Sequence, residues 1–447
     1  MFAKKNRYVV AVLAAIASLL FIVLSIVHIY QAAGNIPFAD DWKFLKFIHD
    51  AVNGHATLHA WFAPHNGHRY FILRLLLVTD AKLASLNYML LMYLSVLITL
   101  LSVWLLFYMF RGYYKRDTWS ALLVFLPITA LMFSLRQWEN WLMGMQVAIF
   151  LMILFVIACI HSLRKTALSN RYEWLWLFLA ILTGLLATYS FGSGLMVWPI
   201  GVIYLFARKV GKNRIKLSII YALAGLLIII IYSRGLASDM DIRYLINHPA
   251  HSMAYFILTL GVSIVGEENN RTQLLLTGLI GIVMLCVYMY IFKKSVNEYS
   301  RGDHDWIDFL PYIFFSICSA MLITIGRAKY PLETACASRY STVLMLGPVG
   351  VYMSLTANYK IPRVATLFTI VTALIAFFVI SSTLEEYKMG IYRQVYVNNL
   401  QNMLAHTGSV TDEQLRAFDI DADTVRQGIV ILKQEHWSYY SHGYDGG

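Results

Sequence analysis

The sequence predicts an all-α polytopic membrane protein with about eleven transmembrane helices. Its 447 residues are 59% hydrophobic and only 14% charged, whereas soluble domains are near half apolar and about a quarter charged. Apolar runs recur at about the twenty-residue length that a helix needs to cross a bilayer. Lysine and arginine gather in short loops between these runs, as in membrane proteins with a defined orientation.

The first apolar run follows Lys4, Lys5 and Arg7 and is too long for the apolar part of a signal peptide, so we predict an uncleaved first helix. A shorter run, 251–266, ends in Gly266-Glu267-Glu268 and is predicted as a re-entrant or interfacial segment. The runs predicted to cross are 8–30, 85–110, 118–134, 142–163, 172–190, 195–208, 217–233, 273–292, 309–326, 340–357 and 364–383.

Orientation follows from the basic loops. With the N-terminus in the cytoplasm, alternating spans place more than half of the lysines and arginines on the cytoplasmic side, and the C-terminus outside. If the run 251–266 crossed, Lys293 and Lys294 would lie outside, so a non-crossing segment fits best. The cytoplasmic loops are then 111–117, 164–171, 208–216, 293–308 and 358–363.

The net charge of +11 does not indicate a nucleic-acid partner, because the basic residues lie between apolar runs rather than on a soluble patch. Membrane lipids are the expected surroundings. The four cysteines are scattered without metal-ligand spacing. Charge and cysteine usage therefore leave the membrane class as the one supported.

Three outer segments are long enough to fold: 31–84, 234–272 and the polar tail 384–447. In the first, the stretches 42–48 and 70–77 are amphipathic or apolar and predict interfacial helices. In the tail, 409–413 reads as a capped helix start and 425–433 as a short helix. We therefore divide the chain into a transmembrane domain, 1–383, and a small outer C-terminal helical region, 384–447.

Polar side chains gather in four outer clusters: 38–42 with 65–69, 134–141, 189–194, and 326–330 with 338–340. In the first, Asp40 and Asp41 are adjacent. Two neighbouring carboxylates in a poorly solvated site raise the pKa of one of them, which makes it a candidate general base. The alternative is that one acid caps a helix over 42–50.

Arg69, Arg136, Arg327 and Arg339 lie at predicted membrane boundaries. Converging guanidinium groups would bind a phosphate or pyrophosphate through paired hydrogen bonds. Contact with lipid headgroups, or snorkelling at helix ends, is the alternative for each of them.

His65 and His68 are three residues apart and could bind a divalent cation, Mg²⁺ or Mn²⁺, together with Asp41. Pro64 and Gly67 favour a turn, in which these histidines would instead hydrogen-bond to substrate or to the acids. Tryptophans such as Trp138 could stack on a sugar or belong to an interfacial aromatic belt. The candidate substrate contacts are Trp42, His65, Asn66, His68, Trp138, Glu139 and Tyr340.

The architecture and motifs resemble the GT-C superfamily of polyprenyl-phosphate-sugar-dependent glycosyltransferases, and in style the bacterial O-antigen (serotype-converting) glucosyltransferases. The motifs are Phe38-Ala39-Asp40-Asp41-Trp42, His65-Asn66-Gly67-His68-Arg69, Arg136-Gln137-Trp138-Glu139-Asn140, Gly326-Arg327-Ala328 and Ala337-Ser338-Arg339-Tyr340.

This resemblance implies an inverting transferase in the bacterial inner membrane with an extracytoplasmic site. Asp41 or Asp40 would be the base, and Arg327 or Arg339 would hold the phosphate, helped by Arg69 and Arg136. The implied partners are a polyprenyl-phosphate sugar, a glycan or lipid-linked acceptor, and enzymes that make or flip the donor. The alternatives are a transporter or flippase of lipid-linked sugars, or an O-antigen polymerase or ligase.

Overall fold

A computed structural model describes residues 4–114, 118–169, 171–208, 213–236, 241–265, 271–301, 305–358 and 362–441. These residues are almost entirely helical, and the one β-bridge among them joins His65 and His68. The predicted Gly266-Glu267-Glu268 end of the run 251–266 lies outside the described residues, as do residues 302–304 of the predicted loop 293–308. The all-α fold class is confirmed.

Twenty α-helices follow one another along the chain. They are α1 Lys4–Ala32, α2 Asp41–Val52, α3 Leu58–Phe62, α4 Phe71–Ala84, α5 Tyr88–Tyr113, α6 Thr118–Met132, α7 Trp138–Trp141, α8 Val147–Leu168, α9 Glu173–Ser190, α10 Val197–Ala207, α11 Arg214–Ser233, α12 Ile242–Asn247, α13 Pro249–Gly261, α14 Arg271–Ser300, α15 Leu310–Arg327, α16 Arg339–Leu344, α17 Leu346–Ala357, α18 Pro362–Ala405, α19 Asp412–Leu415 and α20 Ala422–Glu435.

Within the described residues, 10 helical stretches are long and apolar enough to cross a membrane. They correspond to ten of the predicted runs, and the eleventh, 195–208, corresponds to the shorter apolar stretch Gly192–Ala207. The chain is thus a multi-pass membrane protein. Helix α6 contains Pro127 and still continues to Met132, as transmembrane helices tolerate when neighbours satisfy the freed backbone groups.

The bundle has two ends, and a long-range contact identifies each of them. At one, Asp308 contacts Arg164 and Arg208; we call this the Asp308 end. At the other, the Asp41 carboxylate accepts a hydrogen bond from the Met145 backbone at 3.0 Å; we call this the site end. Successive spans connect the two ends alternately, which is the geometry that an antiparallel bundle requires.

The segment 241–265 both starts and finishes at the site end. The Asp241 backbone N–H donates to the Ile325 carbonyl at 3.3 Å, and the Val265 carbonyl accepts from Arg136 at 2.7 Å. Helix α13 has 13 residues, about 20 Å of helix, which is shorter than the roughly 30 Å hydrocarbon layer. The segment therefore does not cross, as predicted for 251–266.

The tail folds back onto the first loop between spans. Helix α18 has 44 residues and passes the predicted domain boundary at 383/384 without a break, so it extends about 66 Å. Beyond it, α20 packs against α2, where the buried Trp42 ring lies 5.1 Å from the Phe418 ring. One continuous hydrophobic core includes tail residues such as Leu404 and Leu432 together with the membrane helices.

Candidate functional site

All four polar clusters lie at the site end, but their side chains differ in burial and in hydrogen-bond partners. Asp41 is the first residue of α2 and is only 2% exposed. One of its oxygens accepts from the Met145 N–H at 3.0 Å and the other from the Phe38 N–H at 3.2 Å. Burial raises the pKa of Asp41 to about 7; the two backbone hydrogen bonds oppose that rise, and the charge of Asp40 adds to it. Asp41 therefore joins two loops.

Asp40 is the accessible carboxylate of the pair. Its Oδ1 accepts from the Lys43 Nζ at 2.7 Å, and its Oδ2 accepts from the Asn66 Nδ2 at 2.6 Å. The His65 Nε2 lies 3.8 Å from Oδ2. Burial alone would raise the pKa of Asp40, but the hydrogen bonds and charges of His65 and Lys43 outweigh it and lower the pKa to about 2. The expected cap is not formed: Asp40 occupies the N-cap position of α2 without a side-chain capping bond.

The turn 65–68 explains why Asn66 reaches Asp40. The backbones of His65 and His68 exchange hydrogen bonds of 2.8 and 2.9 Å. Between them, Asn66 and Gly67 have φ values of +47° and +75°. Asn-Gly is the favoured pair for such a two-residue hairpin turn, because both central residues must be left-handed. The turn holds the Asn66 amide against the Asp40 carboxylate.

The two histidine rings line the site. His65 lies 4.7 Å from the Phe44 ring, and His68 lies 4.3 Å from the Phe191 ring. Burial, with help from the charges of His65 and Arg327, lowers the pKa of His68 to about 4, so its ring is neutral at pH 7. Gly192 permits this packing, because a Cβ there would lie 2.4 Å from the His68 Nδ1.

The predicted metal trio does not converge. The carboxylate of Asp41 faces backbone N–H groups rather than His65 and His68. Among the described residues, no group of three or more His, Cys, Asp or Glu side chains could hold a metal ion. Asp41, His65 and His68 thus form no cation site together among the described residues, and a divalent cation stays a prediction.

Two of the four arginines are bound to backbone carbonyls instead of facing a ligand. Arg136 is 1% exposed and donates to the carbonyls of Val265 at 2.7 Å and Cys336 at 2.8 Å. Arg69 donates to the Tyr232 carbonyl at 2.7 Å and to those of Phe62 and Arg234. The predicted convergence of four guanidinium groups on a phosphate is therefore wrong, because a buried guanidinium needs acceptors and takes them from the chain.

Arg339 and Arg327 are both exposed but differ in pairing. Arg339 forms an ion pair with Glu139 at 2.9 Å, and its ring neighbour is Tyr340 at 5.5 Å. The Arg327 guanidinium lies 5.7 Å from the Tyr330 ring, with no hydrogen bond or ion pair to any other described residue. Its positive charge acts on His68, as noted above. Arg327 is thus the arginine of the four best placed to bind an anion.

Three other candidate substrate contacts are engaged by neighbouring parts of the chain. Trp42 is 2% exposed and is packed under the tail, so it is not a substrate contact as predicted. The Trp138 ring is covered by the Arg393 guanidinium at 3.7 Å. Glu139 is neutralised by Arg339 and also accepts from the Ser338 hydroxyl at 2.7 Å. These side chains hold segments of the site end together.

Tyr70 is a site residue that sequence reasoning missed. It is 5% exposed and its ring lies 5.5 Å from His68. Burial raises its pKa; the charge of Asp40 adds to the rise and that of Arg327 opposes it. The charges of the accessible acid and of the exposed guanidinium thus both act on the Tyr70 hydroxyl. A tyrosine at the start of an apolar run is typical of the membrane interface, so its position in the sequence does not mark it as a site residue.

An apolar groove lies between α14, α17 and α18. It is open along its length, and its walls are almost entirely apolar. Ile264, just after the non-crossing α13, is one of its lining residues. Other lining residues are Ile280, Met284, Tyr288, Val351, Ile375 and Phe378.

No family model matches the chain, and no curated protein matches it. Among solved structures, it is similar to ArnT from Cupriavidus metallidurans bound to undecaprenyl phosphate. The identity is 11%, the TM-score is 0.43, and the alignment covers 95% of this chain and 88% of that one. Similarity at this level establishes neither a shared fold nor a shared activity.

Proposed function

We propose that this chain is an integral membrane glycosyltransferase. It moves a sugar from a polyprenyl-phosphate donor to a hydroxyl of a cell-surface glycan or lipid-linked acceptor, with inversion at the sugar. Asp40 is the general base and Arg327 holds the donor phosphate. The observation that carries this proposal is an accessible carboxylate, Asp40, that Lys43 and Asn66 hold at one end of an apolar bundle, with the exposed Arg327 near enough for its charge to act on His68 of the same turn.

The reaction needs both charges. The acceptor oxygen forms a bond to the anomeric carbon while the bond from that carbon to the phosphate oxygen breaks. The acceptor proton passes to Asp40, and the electron pair leaves with the phosphate, whose growing negative charge Arg327 stabilises. Attack from the side opposite the phosphate inverts the sugar.

Asp40 suits the role of base better than Asp41. Its low pKa keeps it ionised at neutral pH, and it is accessible, whereas Asp41 has both oxygens engaged by backbone N–H groups. A bound acceptor would displace water from Asp40 and so raise its pKa toward that of a useful base. No step of this scheme needs a metal.

The surroundings support a lipid-linked donor. A polyprenyl chain partitions into hydrocarbon, and the groove between α14, α17 and α18 offers apolar walls within the membrane spans. The proposal places the protein in the bacterial inner membrane with its site on the extracytoplasmic face. Enzymes that make or flip the donor would then supply it, and the acceptor could be O-antigen or another envelope glycan.

The test is sugar transfer by the protein in nanodiscs supplied with a polyprenyl-phosphate hexose and a glycan acceptor. Asp40→Asn should lower kcat roughly 100-fold or more. Asp50→Asn is the matched control, because Asp50 lies in the same helix and pairs with Lys46 at 3.4 Å. An Asp40→Asn variant as active as wild type would show that Asp40 is not the general base.

The phosphate contact is tested separately. Arg327→Ala should raise KM for the donor and weaken its binding, while Lys329→Ala should not. Lys329 is a matched control because it also flanks the Tyr330 ring, at 5.6 Å. Unchanged donor binding in Arg327→Ala contradicts the phosphate role, and movement of labelled donor across the bilayer without product favours the transporter alternative.

A further inference from the structure

We propose that the C-terminal tail, residues 406–441, is a positioning element for Asp40. It holds Ala39, the residue before Asp40, in a left-handed conformation and thereby fixes the direction of the Asp40 carboxylate. This inference rests on the proposed function, because it gives the tail a role only if Asp40 takes part in transfer.

Ala39 needs an external restraint. Its φ is +47°, in the left-handed region that an L-residue with a Cβ occupies at a cost in free energy. Its backbone N–H donates to the carbonyl of Phe418 at 2.9 Å, which joins the turn to the tail across almost 380 residues of chain. The turn closes next to it, where the Asp41 N–H donates to the Phe38 carbonyl at 3.0 Å.

The tail is anchored on both sides of this contact. The Phe418 ring meets the Trp42 ring edge-on at 5.1 Å. Gly428 of α20 lies so close to α2 that an added Cβ would be 2.5 Å from the Trp42 Cε3. At the far end of α20, Glu435 pairs with His49 at 2.7 Å. The position of the Phe418 carbonyl is thus set by the fit of the tail against α2.

Three separate segments therefore converge on one carboxylate. Lys43 of α2 and Asn66 of the turn 65–68 bind its two oxygens. The tail acts one residue earlier, on the backbone that aims the side chain. Because the tail contacts the backbone rather than the carboxylate, its role is positioning, and its loss should lower turnover more than donor binding.

The experiment uses the full chain in nanodiscs and a substitution that lifts the tail. Gly428→Ala forces a Cβ against Trp42 and should lower kcat at least 10-fold with less than a twofold change in KM for the donor. Gly408→Ala is the matched control, because Gly408 is in the same tail and nothing lies within 4 Å of its added Cβ. Phe418→Leu is a milder perturbation that should act in the same direction.

A rescue experiment distinguishes a tail that positions Asp40 from a tail that only stabilises the fold. Glycine adopts a left-handed φ without restraint, so Ala39→Gly added to Gly428→Ala should recover at least a third of the lost kcat. Hydrogen exchange at the Ala39 amide gives a readout independent of turnover: it should quicken in Gly428→Ala and stay slow in Gly408→Ala.

A Gly428→Ala variant with wild-type kcat, or a loss of kcat that Ala39→Gly does not relieve, overturns the positioning role. Asp40→Asn is assayed beside them. If Asp40→Asn is inactive while Gly428→Ala is fully active, only the positioning role falls. If Asp40→Asn transfers as well as wild type, the proposed function falls, and the exchange measurement still reports whether the tail restrains Ala39.

Discussion

Asp40 and Asp41 are sequence neighbours whose pKa values shift in opposite directions. Burial raises the pKa of Asp41 to about 7 against two backbone donors, while the hydrogen bonds and charges of His65 and Lys43 outweigh burial and lower the pKa of Asp40 to about 2. The sequence predicts that an adjacent pair of acids splits in this way. It does not predict which acid is buried, because the Met145 N–H that meets Asp41 is supplied from 104 residues away.

Asp41→Asn should destabilise the protein by about 1–3 kcal/mol, because the amide NH₂ would face one of two backbone N–H donors and leave it without an acceptor. Thermal unfolding in detergent should show a lower midpoint than that of wild type. Asp50→Asn, at a half-buried position on the same helix, is the control with an unchanged midpoint. An Asp41→Asn variant as stable as wild type would mean that these two hydrogen bonds contribute little.

Asp80 of α4 predicts a pH dependence of stability. It is 7% exposed, and burial raises its pKa to about 6, with the Asn87 backbone opposing part of the rise. Because the folded-state pKa exceeds the unfolded value of 3.8, the folded state binds the proton more tightly, and stability falls as the pH rises from about 4 through 6. This shift corresponds to at most about 3 kcal/mol.

Asp80→Asn should remove that loss. The variant should unfold at a higher temperature than wild type above pH 7, and the difference should shrink toward pH 4. Unfolding midpoints measured in detergent across this pH range provide the check. A variant that is less stable than wild type at pH 7.5 would show that the ionised carboxylate has a stabilising partner.

At the scale of elements, α13 and α14 cross with their backbones in close approach. A Cβ on Gly281 would lie 1.9 Å from the Ile257 carbonyl oxygen, and one on Gly261 would lie 2.0 Å from the Thr277 carbonyl oxygen. Small residues at a helix crossing allow this approach in membranes, where packing rather than hydrophobicity holds helices together. The non-crossing α13 is thereby attached to a spanning helix.

Gly281→Ala should force the two backbones apart and destabilise the protein by roughly 1–3 kcal/mol. Gly278→Ala is the matched control on the same helix, because the nearest atom to its added Cβ is a Leu258 methyl at 3.7 Å. Thermal unfolding in detergent should show a lower midpoint for Gly281→Ala than for Gly278→Ala. Equal midpoints would imply that α13 is free to move away from α14.

Element positions were largely predictable, and the exceptions have physical reasons. Apolar length identifies a spanning helix, and the distribution of basic loops identified 251–266 as non-crossing. The extent of α18 was missed, because residues 384–405 are polar enough to lack the signal of a span, and their helix is held by packing of residues such as Leu400 against the core. Short helices such as α16 are stabilised by tertiary contacts, so the hydrophobic pattern of the sequence does not predict them.

At the scale of the molecule, the sequence predicted which segments meet at one end but not how their side chains pair. Arg136 finds its acceptors 129 and 200 residues away, at Val265 and Cys336. Nothing in local pattern distinguishes that arginine from the exposed Arg327. Pairing is decided by which side chain is desolvated, and desolvation is a property of the assembled bundle.

The opposite end of the bundle is held by a buried carboxylate. Asp308 contacts the Arg164 Nε at 2.8 Å and Arg208 at 3.3 Å, and it accepts hydrogen bonds from the hydroxyls of Tyr204 at 2.7 Å and Tyr113. These partners come from the ends of α5, α8 and α10. Among the described residues, Arg111, Arg164 and Arg208 all lie at this end, a distribution that the positive-inside rule associates with the cytoplasmic side.

That asymmetry predicts the orientation: the Asp308 end faces the cytoplasm and the site end faces outward. Ser300 is exposed near the Asp308 end and Ser409 is exposed in the tail. In intact spheroplasts, a membrane-impermeant maleimide should label Ser409→Cys and should label Ser300→Cys only after permeabilisation. The parent chain is the control for native thiols, since Cys286, exposed in the span α14, should face lipid.

The reverse labelling pattern would place Asp40 in the cytoplasm and exclude an extracytoplasmic acceptor, because α2 and the tail lie at one end of the bundle. Labelling of both positions in intact spheroplasts would contradict the alternation of spans. The two serines are separated by the α15, α17 and α18 spans, an odd number of crossings. They must therefore lie on opposite sides of the membrane if these three spans cross as described.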